Sequence, residues 1–187
     1  AARMAQPYGG FRRAFGRELE PEFESDELLV LTLNTTRAYL HERGVVSARQ
    51  VERVARRFER ARPTQLRIVV THQPVSVTRR EDQADLLRGH VRAVRRWAAA
   101  GADLILGGHI HLPFVQALHE SRHGLARKVW AVQAGTAVSS RVRNEAGNSV
   151  NLIRCGVPPT LQAASTSSVP PAAAMKADSL WVERLTH

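Results

Sequence analysis

The chain has 187 residues, enough for one sizeable hydrophobic core with a tail, and its 43% hydrophobic and 24% charged content is that of a soluble globular protein. No apolar run approaches the roughly 18 residues of a transmembrane helix, and no secretion signal is read at the N-terminus. The formal net charge of +10 invites a nucleic-acid reading, while the single cysteine, Cys155, excludes an intramolecular disulfide and makes a cytoplasmic setting the expectation.

The positive charge is nearly all arginine, since Lys128 and Lys176 are the only lysines. The arginines alternate with glutamates, as in Glu52-Arg53 and Glu59-Arg60, the pattern of a solvated helix face rather than a binding stripe. Nucleic acid is therefore not the expected partner.

In chain order, Phe11, Phe15 and Leu19 recur at helical spacing and predict a short amphipathic helix. Pro21 and the acidic stretch Glu22 to Glu27 read as a loop. Leu28 to Asn34 is a buried strand, and Arg37 to Gly44 a connection of undefined form. Ser47-Ala-Arg-Gln50 has the capping-box pattern, after which Val51, Val54, Ala55 and Phe58 share one helical face and Pro63 stops the helix. Leu66 to Thr71, rich in β-branched residues, is a second strand and ends at His72-Gln73-Pro74.

A helix is expected from about Asp82 to Ala100, terminated by Gly101, and a strand over Asp103 to Gly107. Phe114 to Leu118 and Lys128 to Gln133 predict an antiparallel pair, and Ser149 to Arg154 a further strand. Residues 156–177 are rich in proline, serine and alanine and read as a low-complexity loop or linker. A terminal edge strand is expected within 178–187. The main domain is thus expected over 1–155.

Leu104-Ile-Leu-Gly-Gly-His-Ile-His-Leu-Pro113 carries the chemistry. An apolar strand runs into two glycines, whose freedom to take positive φ predicts a tight turn presenting His109 and His111 at the strand tip. The plain alternative is two surface histidines in a polar turn. Residues 66–107 read strand, helix, strand, a unit that makes parallel strands with both carboxyl ends at one sheet edge. Ligands of open α/β sheets bind beyond that edge. His72, His109 and His111 are therefore expected to converge there, with Asn34 near the same edge. Imidazoles so placed suit Zn, Fe, Mn, Ni or Co. His41, His90, His119, His123 and His187 lack such a context and are expected to face solvent.

The pieces Val69-Val-Thr-His72-Gln-Pro74 and Gly107-Gly-His109-Ile-His111 resemble the closing pair of metal motifs of the calcineurin-like metallophosphoesterases. Leu33-Asn34-Thr35, the helix start near Gln50, Ala134-Gly-Thr136 and Asn148-Ser-Val-Asn151 are similar to the cyclic-nucleotide-phosphodiesterase-like branch of bacterial members. The resemblance covers roughly residues 8–155. It implies an α/β (or α+β) fold, a four-layer αββα sandwich with two divalent ions (Mn, Fe, Zn or similar) at one edge. It further implies metal-activated water hydrolysing the phosphomonoester or phosphodiester of a small molecule or nucleotide. His72 and His109 would ligate one metal and His111 the other.

The family's earlier Asp-x-His, Gly-Asp and Gly-Asn-His-Asp/Glu motifs do not occur in these residues. They supply the bridging carboxylate and the histidine that protonates the leaving group. The chain is therefore expected to be a fragment lacking the N-terminal part, inactive alone and with no catalytic residue of its own. The competing expectations are an inactive truncated relative that acts as a binding module, and a basic nucleic-acid-binding protein.

Overall fold

The computed structural model describes residues 8–37, 43–121, 124–143, 146–155 and 180–186. In chain order the elements are α1 (Gly9–Phe15), β1 (Glu22–Glu24), β2 (Leu28–Thr32), α2 (Ala48–Glu59), β3 (Leu66–Val70) and a 3-10 helix (Arg80–Asp85). There follow α3 (His90–Ala99), β4 (Leu104–Gly107), β5 (Phe114–Ala117), the one-turn α4 (Leu118–Ser121), β6 (Trp130–Gln133), β7 (Ser149–Cys155) and β8 (Leu180–Thr186).

Six strands make one mixed sheet in the order β1-β2-β3-β4-β6-β5. The inner four, β2, β3, β4 and β6, are parallel, and β1 and β5 close the edges antiparallel to their neighbours. Near-continuous apolar runs such as Leu28 to Leu31 and Ile68 to Val70 are what parallel strands covered on both faces require. Alternate residues then divide between two cores. On one face Leu29, Leu31, Val69, Ile105 and Ala131 meet Val51, Val54 and Phe58 of α2 and Val94, Trp97 and Ala98 of α3. The two helices are locked by the buried Trp97 indole N–H, which donates to the Val51 carbonyl at 3.2 Å. On the other face Ile68, Leu104, Trp130 and Val132 cluster with Val70, Leu106, Val115 and Ile153 of β7. β7 pairs antiparallel with β8 in a separate two-stranded sheet. The chain is a mixed α/β fold, a six-stranded sheet flanked by helices.

The capping box is as the sequence predicts. Ser47 Oγ accepts from Gln50 N–H at 3.2 Å, and Gln50 Oε1 accepts from Ser47 N–H at 2.9 Å. Gln50 also reaches outward, its amide donating to the Asn34 carbonyl at 3.0 Å, so the cap ties α2 to the end of β2.

Four local expectations are corrected. Residues 22–24 form a strand, because pairing to β2 satisfies their backbone while Arg57 takes the Glu22 and Glu24 carboxylates. The helix expected from Asp82 is broken into the 3-10 turn and α3. Leu87 is drawn into the core, its N–H bonding the Pro74 carbonyl at 2.8 Å, and Gly89 at φ 88° supplies the left-handed residue that starts α3. The helix α1 buries none of its residues; Phe11 and Phe15 are exposed and lie against one another, ring centres 5.1 Å apart. His90 and His119 are not simply solvated. His90 Nδ1 lies 2.8 Å from the Leu87 carbonyl, and the His119 ring stands edge-on to Trp130. His41, His123, His187 and the 156–177 stretch lie outside the described residues.

Phe58 is fully buried between α2 and the sheet. Phe58→Ala is expected to lower unfolding free energy by about 3–5 kcal/mol in urea titration, whereas Ser47→Ala, losing only a cap, costs about 1 kcal/mol. Equal losses would mean that the cap also carries the junction with β2.

Candidate metal centre at the carboxyl edge of the sheet

Strands β3 and β4 run in parallel register, Val69 beside Ile105 and Val70 beside Leu106. The ladder continues past both strands: Thr71 N–H donates to the Leu106 carbonyl and Gly108 N–H to the His72 carbonyl, both at 2.9 Å. His72 and the Gly107-Gly-His109 turn are thereby placed side by side. His72 Nε2 lies 3.1 Å from His109 Nδ1, with the rings edge to face and their centres 4.9 Å apart.

The other nitrogen of His109, Nε2, faces the Asp85 carboxylate at 3.5 Å. Asp85 closes the 3-10 helix, so one short turn positions this ring. His111 points elsewhere. Its Nδ1 lies 2.5 Å from the Arg141 carbonyl. Arg141 belongs to a loop held by its neighbour Arg143, which donates to the buried Asp82 at 3.0 Å and to Glu81 at 2.7 Å. The 3-10 helix thus supports His109 directly through Asp85 and His111 indirectly through Asp82, Arg143 and the Arg141 carbonyl.

The expected role of the glycines is corrected. Gly107 and Gly108 are not in the left-handed region; His109 (φ 74°) and His111 (φ 56°) are. Gly107 serves close approach instead, since a Cβ there would stand 2.5 Å from the Gln133 side-chain oxygen. The Gln133 amide in turn donates to the Gly108 carbonyl. A non-glycine residue at positive φ is uncommon, and such strain costs of order 1–3 kcal/mol.

Asn34 lies at the same edge, lining with His72 a cavity of about 300 Å³. Thr35 bridges them, its Oγ accepting the His72 backbone N–H at 3.4 Å and donating to Gln73 Oε1 at 2.6 Å. Asp82 and Asp85 carry no signal in the sequence beyond the start of an expected helix, and Arg141 and Arg143 none beyond the polar stretch between two strands. Their partners stand far away in the chain, up to |i−j| = 62 for Arg143 and Glu81.

Two imidazole nitrogens bound to one ion at about 2.0–2.1 Å are separated by roughly 2.9–3.4 Å, from octahedral to tetrahedral angles. The His72–His109 spacing falls in that range, and the carboxylate behind His109 is the outer partner that metal-binding histidines use. The pair fits two ligand positions. Among the described residues no group of three or more His, Cys, Asp or Glu side chains is arranged to hold a metal ion. No helix among the described residues is long and apolar enough to cross a membrane. No protein-family model matches the chain, and no curated protein matches it.

Partial desolvation, and then the positive charges that His109 and His111 can carry, hold the His72 imidazole below its ordinary pKa of 6.5. The folded state therefore resists a proton that the unfolded chain accepts, and stability falls as pH drops from about 6.5 toward the lower folded value. His72→Gln removes that term. The variant's stability relative to wild type should rise between neutral pH and pH 5 in denaturant titrations, and a pH-independent difference would count against it.

The strained turn gives a second expectation. Alanine normally outranks glycine in stability by about 0.5–1 kcal/mol. At His109 the order should reverse, His109→Gly unfolding at higher temperature than His109→Ala, because only glycine takes positive φ freely. A more stable alanine variant would show that the turn is not strained at this residue.

Proposed function

We propose that the chain carries part of the dinuclear centre of a calcineurin-like metallophosphoesterase, a metal-dependent hydrolase of phosphodiester or phosphomonoester bonds. The single observation that carries the reading is His72 and His109, with nitrogens 3.1 Å apart at adjacent parallel strand ends. They stand in the frames His72-Gln-Pro74 and Gly107-Gly-His109-Ile-His111, which resemble the closing motifs of that superfamily. The mixed sheet would be one of the two sheets of an αββα sandwich.

In this reading His72 Nε2 and His109 Nδ1 hold one divalent ion (Mn, Fe or Zn), and His111, through Nε2, holds the second. Divalent ions in such a centre supply Lewis-acid polarisation of the phosphoryl oxygen and activation of water. The residues of this chain contribute positioning. Asp85 orients His109, the Arg141 carbonyl orients His111, and the low proton affinity of His72 keeps its lone pair available at neutral pH. A phosphate-ester small molecule or nucleotide is the proposed substrate. These 187 residues hold none of the superfamily's carboxylate motifs, so turnover is assigned to a polypeptide that also carries them. Ion pairing of Arg53, Arg57, Arg96, Arg127 and Arg143 with carboxylates weighs against a nucleic-acid interface.

The test has two arms. The chain alone should bind Zn²⁺ with an affinity that His109→Ala lowers by tenfold or more in isothermal titration, with unfolding still cooperative. In a polypeptide that also carries the Asp-x-His and Gly-Asn-His-Asp/Glu segments, His109→Ala should abolish Mn²⁺-dependent hydrolysis of bis(4-nitrophenyl) phosphate. Unchanged metal affinity, or unchanged turnover at saturating Mn²⁺, would falsify the assignment.

A further inference from the structure

The end of β2 and the segment leading into it border two adjoining hollows. The first, about 300 Å³, is walled by Tyr8, Phe11, Leu19 and Leu33 and reaches His72. The second, about 370 Å³, shares Leu19 and Asn34 with it and is lined by Arg12, Arg17 and Arg37. A volume near 300 Å³ is at the lower end of small-molecule sites.

The polar groups of the first hollow are mostly spent within the protein. Tyr8 donates its hydroxyl hydrogen to the Thr36 carbonyl at 3.2 Å, Thr36 donates to Asn34 Oδ1 at 2.7 Å, and Thr35 donates to Gln73. Tying down the phenol holds the Tyr8 ring in place as a wall. Among the described residues no carboxylate lines this hollow, while Glu18 and Glu20 line the neighbouring one. Asn34 Nδ2 makes no hydrogen bond among the described residues, which leaves one amide donor at the junction of the two. Phe11 is 44% exposed on a helix with no buried residue; its ring lies against that of Phe15, outside the hydrophobic core, and borders the hollow. A slot with two aromatic walls, aliphatic backing and a single donor fits a flat ring carrying an acceptor.

We propose that the hollow between Tyr8 and Phe11 is a binding site for the aromatic ring of an aryl-type ligand whose anionic group lies toward His72. This rests on the phosphoester reading only for the identity of the anionic group; the ring site stands on the cavity itself. It makes Phe11 and Tyr8 specificity-determining residues, favouring esters of aromatic alcohols over those of small alkyl alcohols.

The probes are phenylphosphonate and methylphosphonate, which are not hydrolysed and differ in the ring alone. Binding to the purified chain is followed by isothermal titration, with and without Zn²⁺. The expected result is that phenylphosphonate binds wild type at least tenfold more tightly than methylphosphonate. Phe11→Ala should weaken phenylphosphonate by roughly tenfold and leave methylphosphonate and Zn²⁺ affinity unchanged. Phe11→Leu, which keeps apolar bulk, should recover only part of the loss. Because α1 contributes nothing to the core, both variants should melt at the wild-type temperature.

Equal affinity for the two phosphonates, or equal weakening of both by Phe11→Ala, overturns the proposal. A ring preference that persists while Zn²⁺ changes neither affinity supports the aromatic site and counts against the phosphoesterase reading alone. Zn²⁺-enhanced binding of both phosphonates with no ring preference does the reverse.

Discussion

The hydrogen bond from Gly108 N–H to the His72 carbonyl, 2.9 Å long, is the constraint on which the rest of the site depends. It extends the β3–β4 ladder beyond the strands themselves. Once Ile68 stands beside Leu104, parallel pairing has no freedom left, and His72 must arrive next to Gly108. That register is enforced from the core. A slip of β4 by one residue would turn Ile105 away from α2 and α3 and present Leu104 to the helices instead. The apolar pattern that folds the sheet is therefore the same pattern that brings two imidazoles within 3.1 Å.

Beyond that bond the chain leaves the sheet, and polar contacts take over. The Gln133 amide grips the Gly108 carbonyl, Asp85 faces His109, and the Arg141 carbonyl faces His111. Three different parts of the chain thus hold one turn of four residues, 108–111. The Asp82–Arg143 pair deserves more weight than the exposed ion pairs of the helices, since Asp82 is buried and would be left an uncompensated charge without its partner. Among the described residues its Oδ2 has no hydrogen-bond partner, and the contact from Arg143 to Oδ1 carries that load. Exposed pairs such as Arg62–Asp26 contribute little by comparison.

What could be read in advance follows from the range of the interactions involved. The strands β2, β3 and β4 and the helix α2 rest on local apolar pattern and a local cap, and both are visible within a dozen residues. Convergence of His72 and His109 was legible because strand–helix–strand topology leaves few alternatives. The acidic strand β1 was not, since Glu24 is held by Arg57 and Gln65, 33 and 41 positions away. The break at Gly89 was obscured by helical spacing that runs straight through it. The outer partners of the histidines were invisible for the same reason as β1: Asp85 and Arg141 become neighbours only after the sheet has formed. The glycine pair actively misled, because glycine is the usual residue at positive φ and here the histidines occupy that region.

That last mismatch is informative. In a turn shaped by stability alone, residues with a side chain would occupy the ordinary conformations, and glycine or asparagine would stand at φ 74° and φ 56°. Here glycines fill two positions whose backbone any residue could adopt, and histidines fill the two strained ones. At Gly107 the reason is steric, given the Gln133 oxygen 2.5 Å from a would-be Cβ. At Gly108 no such contact exists among the described residues, the nearest atom being the His72 carbonyl at 3.7 Å. A local rule broken twice within three residues, and held in place by carboxylate and carbonyl partners, points to side chains kept for what they do. The left-handed backbone at His109 aims Nδ1 at His72 while leaving Nε2 for Asp85. The surroundings of His72 bias it toward its neutral form, in which the imidazole offers a lone pair. That is the electronic state in which imidazoles bind a divalent ion, and it is why the proposed metal site accounts for the strain better than a surface turn does.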